Sequence, residues 1–224
     1  AAGGQAPPLV PASHRALSWR PDQAVAVLNI GGISNLSLLP AGTAADGAVL
    51  GFDCGPGNAL LDHWCQTHQG QPYDAGGQWA ASGKVLPDLL AQLLAEPFFS
   101  RQPPKSTGRD LFNPDWLAVR LQGQQNAQPA DIQATLAELT ASACAADALR
   151  HGRDEVRQLV VCGGGALNTH LMARLAALLP GVQVLSAADR GLPPQQVEAA
   201  AFAWLAHAAL RRQPGNHAPV TGAR

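Results

Sequence analysis

An α/β fold built on one mixed five-stranded sheet, with helices on both faces, is what this sequence predicts. Three observations carry that expectation. Three apolar strand-like runs follow one another closely near the start, strand-like and helical segments alternate in the second half, and two glycine-rich turns fall at strand ends. Strands joined by short turns pair antiparallel, whereas strands separated by a helix cross over and pair parallel.

Residues 1–20 form a Pro/Gly-rich lead-in with a short apolar stretch. Strands are predicted over residues 24–30, 34–39 and 48–52. The first two are separated by Gly31-Gly32, and the next two by a segment rich in turn formers, which reads as an antiparallel meander. Residues 58–68 read as a helix with Leu60, Leu61, Trp64 and Cys65 at helical spacing. Residues 70–128 read as an insertion of short helices, one following Pro87 and another capped by Asn113. The strongest helix spans residues 131–149, with an acidic start and Ile132, Leu136, Leu139 and Ala143 on one side. Strand 158–161, helix 166–179, strand 182–185 and helix 195–212 complete the core, and residues 213–224 form a tail. This order is that of a ribonuclease-H-like unit.

Composition narrows the function classes. The chain of 224 residues carries 15 Lys plus Arg against 16 Asp plus Glu, and its only lysines are Lys84 and Lys105, so no basic stripe for nucleic acid is visible. No apolar run reaches the length of a membrane span, and the first residues lack the pattern of a secretory leader. Cys54, Cys65, Cys144 and Cys162 show no metal-finger spacing, and the histidines are scattered. A reduced, cytoplasmic chain without a protein-held metal is expected. A homodimer is left open.

Chemistry concentrates in four places. Asn29-Ile30-Gly31-Gly32-Ile33-Ser34-Asn35 is a strand–turn–strand whose bare N–H groups, flanked by Ser34 and Asn35, can approach an oxyanion; a hairpin turn without ligand is the plain alternative. Gly163-Gly164-Gly165-Ala166-Leu167-Asn168 follows a strand and opens a helix, a setting suited to a nucleotide or to a merely structural tight turn. A dinucleotide fingerprint fits neither loop, because a strand follows the first and Asn168 stands where the second needs glycine. Asp53 closes a strand ahead of Gly55-Pro56-Gly57-Asn58, so its carboxylate is either a general base or a turn former. Lys105-Ser106-Thr107-Gly108-Arg109 reads as a phosphate clamp or a solvated basic loop, and Glu198, by position alone, as a first-turn helix acid.

Together these motifs resemble the anhydro-N-acetylmuramic acid kinases, bacterial sugar kinases of the actin, Hsp70 and hexokinase type of ATPase fold. NIGGISN, GFDCGPGNALLDHW, PKSTGR, DIQATLAELTA, VCGGGALN and VEAAAFAWLA carry the resemblance, which runs over nearly the whole chain. Cys54 stands where the family commonly has threonine, and the segment from Gly3 to Pro11 departs slightly from the family's pattern.

The resemblance implies hydrolysis of the 1,6-anhydro bond and phosphorylation of O6 in cell-wall recycling, with ATP and with Mg²⁺ carried on the nucleotide. It implies that Asp53 activates the attacking water, that Glu198 contacts the sugar together with the Gly55–Asn58 turn, and that the two glycine loops contact nucleotide. It also implies a first phosphate loop in a preceding lobe. The expectation is therefore one C-terminal lobe of an actin-like ATPase fold, inactive without its N-terminal partner lobe; a non-catalytic sugar- or nucleotide-binding module is the alternative.

Overall fold

The computed structural model describes residues 22–42, 49–152 and 155–196 and, further on, residues 199, 203, 206, 207, 210 and 211. The lead-in, the tail and Glu198 lie outside the described residues. Five strands, β1 (Ala24–Ile30), β2 (Ile33–Leu39), β3 (Leu50–Pro56), β4 (Val156–Cys162) and β5 (Gln183–Ser186), form one sheet in the order β3-β2-β1-β4-β5. β1 pairs antiparallel with β2 and β2 with β3, while β1–β4 and β4–β5 are parallel. This is the predicted mixed sheet of ribonuclease-H-like order, and it sends the carboxyl ends of β1, β3, β4 and β5 to the same edge.

The helices are α1 (Ala59–Gln69), α2 (Gln78–Ser82), α3 (Pro87–Leu94), α4 (Pro114–Arg120), α5 (Pro129–Gly152) and α6 (Thr169–Leu178). Leu28, Ile30, Leu36 and Phe52 on one face of the sheet pack against Ala141 and Cys144 of α5 and Leu171 and Leu175 of α6. A second core joins α1, α3, α4 and α5 through Leu61, Leu89, Leu93, Phe112, Leu117, Leu136 and Leu139. The opposite sheet face holds Val25, Val27, Leu39 and Val160 with Ala187 of a following turn. No described helix is long and apolar enough to cross a membrane, and all four cysteines are buried in the packing, none in a disulfide among the described residues.

Several boundaries differ from the sequence reading. β3 does not stop at residue 52; it runs on to Pro56, because β2 continues opposite it as far as Ile33. The register shifts between Ser34 and Asn35, so that Cys54 is an extra residue in a bulge and Asp53 lies inside the strand opposite Asn35. Helix α6 starts at Thr169, not 166: Gly164–Leu167 forms a separate 3₁₀ turn, and the Asn168 side chain caps α6 by accepting from the Leu171 N–H at 2.9 Å. Pro194–Gln196 is likewise a 3₁₀ turn, while Ala199, Ala203, Ala206, His207 and Leu210 are helical.

α5 also exceeds its predicted range, and it is buried on nearly every side. Several of its polar residues are held by neighbours, though both amide atoms of buried Gln133 lack a partner among the described residues. Glu138 receives two hydrogen bonds from Arg174 of α6, at 2.6 and 3.0 Å, and Thr135 Oγ1 accepts from the Leu86 N–H at 2.9 Å. The Trp64 indole of α1 donates to the Pro129 carbonyl at 2.8 Å. Leu136, 1% exposed, sits at the centre of the helical core. Truncating it by Leu136→Ala should lower unfolding free energy by about 2–5 kcal/mol, measured by denaturant titration.

Candidate functional site

The carboxyl-end edge of the sheet gathers the motifs. In open α/β sheets the crevice outside the strand ends, where connections leave in opposite directions, is the usual place for a ligand. Here that switch point lies between β1, which leads to β2 on one side, and its parallel neighbour β4 on the other. Gly31-Gly32 follows β1, Gly57-Asn58 follows β3, and Gly163–Gly165 follows β4.

These turns are packed on one another. The Gly31 carbonyl accepts from the Asn58 N–H at 2.7 Å, and the Gly32 carbonyl from the Gly57 N–H at 2.9 Å. The Asn58 side-chain amide donates to the Ile30 carbonyl at 3.2 Å. A Cβ on Gly57 would lie 2.3 Å from the Gly31 oxygen, so this position requires glycine. Gly163 has φ 77°, and a Cβ there would meet Asn29 Oδ1 at 2.5 Å. Buried Ser34 donates to the Pro56 carbonyl at 3.4 Å, and Thr140 of α5 donates to the carbonyls of Pro56 and Gly57 at 3.2 and 3.1 Å. Gly55, Pro56 and Gly57 are therefore buried framework, and Asn58 is the member of that turn that faces open space.

That space is a cavity of about 240 Å³ whose lining includes Asn58, Asp62, Tyr73, Asp74, Gly164 and Asn168. Tyr73 and Leu167 stand 62% and 53% exposed at its rim, and large apolar groups left open beside polar ones suit a flat ligand. Asp74 is occupied, since its two oxygens accept from the N–H groups of Trp79 and Ala80 at 3.0 and 2.9 Å. Asp62 is half-buried; burial pushes its carboxyl up to about 6, and the Arg109 charge only partly opposes this. Sequence reasoning missed Asp62, Tyr73 and Asp74, although Asp62 lies within the same run as Gly55–Asn58.

Asp53 is outside this cavity lining. Its Oδ2 accepts from Ser106 Oγ and from the Thr107 N–H, both at 2.9 Å, and its own N–H donates to the Lys105 carbonyl at 3.1 Å. The 105–107 segment thus covers the free edge of β3. Pairing registers place Asp53 opposite Asn35, and Asn35 opposite Asn29, in one polar row across the strands. Asn35 Oδ1 and Thr107 Oγ1 are buried without a hydrogen-bond partner among the described residues, which leaves unused bonding capacity around the carboxylate.

The basic loop divides. Lys105 turns inward to a buried ion pair with Asp147, while Arg109 is exposed, its guanidinium 3.1 Å from where a Cβ of Gly32 would stand. Among the described residues no group of three His, Cys, Asp or Glu could hold a metal ion.

Fold and site together define a ribonuclease-H-like lobe that presents interlocked glycine turns and one carboxylate at a single sheet edge. The model of the family "Anhydro-N-acetylmuramic acid kinase" matches residues 1–224, and the chain belongs to that family. It is 68% identical over 225 residues to the anhydro-N-acetylmuramic acid kinase of Variovorax paradoxus, covering all of this chain and 60% of that protein. The corresponding kinase of Cupriavidus metallidurans is 60% identical over 226 residues, with 59% of its length covered. That of Pasteurella multocida is 55% identical over 224 residues, with 58% covered. The chain thus spans about three-fifths of the length of these relatives.

The raised Asp62 carboxyl makes a signed prediction. Its folded value of about 6 exceeds the ordinary 3.8, so the native state holds a proton that the unfolded chain has released between those values. The favourable contribution is present below pH 3.8 and is lost as pH rises through about 6. Asp62→Asn should therefore raise the denaturation midpoint at about pH 7.5, with a gain that vanishes below about pH 4, in pH-dependent unfolding scans.

Proposed function

We propose that this chain is the sugar-activating lobe of an ATP-dependent kinase that opens the 1,6-anhydro bond of anhydro-N-acetylmuramic acid and phosphorylates the O6 so released. Membership of the family, whose relatives carry that name, supports the substrate. The observation that carries the chemistry is Asp53, a carboxylate with one oxygen held by two donors and with unsatisfied polar atoms beside it.

In this reading Asp53 takes a proton from a water molecule, whose oxygen forms a bond to C1 of the sugar. The C1–O6 bond breaks, its electron pair stays on O6, and O6 attacks the γ-phosphorus while ADP leaves. General-base assistance of this kind contributes about 10²–10⁴-fold. Gly31, Gly32, Asn35 and Arg109 flank the phosphates, while Ser34, buried and bonded to the Pro56 carbonyl, supports the turn from within. Gly163–Gly165 and Asn168 border the nucleoside, with Tyr73 and Asp62 in the same cavity. Asn58 sits between the glycine turns and the cavity, and Glu198 serves as a sugar contact. Mg²⁺ arrives on the phosphates as part of the substrate.

Phosphoryl transfer relies on donors placed around the γ-phosphate from several sides. These 224 residues supply one side, so the isolated chain is proposed to be inactive and to need the further length its relatives have.

Two measurements check this reading. In the full-length enzyme, Asp53→Asn should lower kcat by about 10²–10⁴-fold and leave the KM for ATP nearly unchanged; normal turnover would move the base elsewhere. The purified 224-residue chain, assayed with ATP, Mg²⁺ and the anhydrosugar, should show no turnover. A rate of about 1–10³ per second would show that this lobe suffices.

A further inference from the structure

Beneath Asp53, on the other side of β3, lies an ion pair that the chemistry above does not use. Lys105 Nζ is 2.8 Å from Asp147 Oδ2 and donates to Oδ1 at 3.2 Å, with the two side chains 1% and 4% exposed. The ammonium also lies 5.0 Å from the Phe98 ring centroid and 5.6 Å from that of Phe52, the residue before Asp53. His151 Nε2 is 3.8 Å from Asp147 Oδ1, but burial pulls its imidazole below the ordinary range, which keeps it neutral near pH 7. Lys105 is left as the counter-charge of Asp147 among the described residues.

Burying two charges this completely needs a reason other than stability. Desolvation offsets most of their attraction, and an apolar pair of similar volume packs as well or better. What an apolar pair does not do is fix one backbone segment at one register. Lys105 accepts from the Asp53 N–H through its carbonyl, and the next two residues provide both donors to Asp53 Oδ2. These three bonds at Asp53 therefore involve three consecutive residues, the first of which carries the buried ammonium.

We propose that the Lys105–Asp147 ion pair is a positioning device for Asp53, anchoring the 105–107 segment along the β3 edge so that Ser106 and Thr107 hold Oδ2. Oδ1 is then the oxygen that takes the proton. Lys105 and Asp147 touch no substrate and act through Ser106 and Thr107. This inference rests on the reading of Asp53 as general base, and it takes Lys105 out of the set of phosphate ligands.

The test uses the full-length enzyme and compares Lys105→Met, Asp147→Leu, the double variant, Ser106→Ala and Asp53→Asn. Each single change at the pair strands one buried charge and should destabilise the protein; the double variant removes both charges and should fold. Its Asp53 and Thr107 amides should exchange at least about tenfold faster, while amides of β1 and β4 stay protected as in the parent. Its kcat should fall about 10–10²-fold with the KM for ATP within about twofold, a split that loss of packing alone would not give. Ser106→Ala, at an exposed side chain, should lower kcat about 3–10-fold without touching the pair.

A double variant that keeps both amide protection and kcat would overturn the proposal, as would full activity in Ser106→Ala should the double variant not fold. Loss of activity in Asp53→Asn but not in the double variant would overturn the positioning role alone. Normal turnover in Asp53→Asn would overturn the base reading, and the positioning role with it.

Discussion

The anchoring of other elements to the polar groups of a helix buried on nearly every side is the constraint on which the rest of the structure depends. α5 carries Thr135, Glu138, Thr140 and Asp147 inside the protein, and each would be costly there without a partner. Each partner belongs to a different piece of the molecule. Thr135 holds the segment that leads into α3, Glu138 holds α6, Thr140 holds the Gly-Pro-Gly turn, and Asp147 holds the loop over Asp53. One helix thus sets the relative positions of elements scattered over the whole sequence.

The sheet converts that anchoring into a site. Because β1, β3 and β4 run the same way, their following turns meet at one edge, and their glycines let backbone pack on backbone without side chains between. This contact consumes much of what the motifs offer. The carbonyls of Gly31 and Gly32 are bound to the next turn, and Gly55–Gly57 is largely interior. What remains open is Asn58, the cavity beside it, and the Asp53 carboxylate outside that cavity's lining.

Two carboxylates near that edge differ by environment. Asp62 looks into a cavity where burial favours its neutral form, whereas Asp53 is held by an hydroxyl and an N–H on one oxygen. In the proposed reading, the second is the group that takes the proton.

Much of this was legible in the residues themselves. Apolar runs of strand length separated by tight turns, then alternation with helices, pointed to a five-stranded mixed sheet with its first three strands antiparallel, because local periodicity and connection length restrict topology so strongly; that β4 pairs with β1 came from the tertiary structure. The motifs also singled out Asp53 and the three glycine turns, which the sheet brings to one edge, although an acid or glycines at a strand end serve turns as readily as ligands. Only the tertiary structure decided where β3 ends, because its extension to Pro56 depends on a partner strand and on Thr140, 84 residues away. It alone separated Lys105 from Arg109: two basic residues of one short loop look alike in sequence, and only the distant Asp147 makes one of them interior. Asp62 and Tyr73 went unread for the same reason, since a cavity is a property of surfaces brought together and no local pattern encodes it.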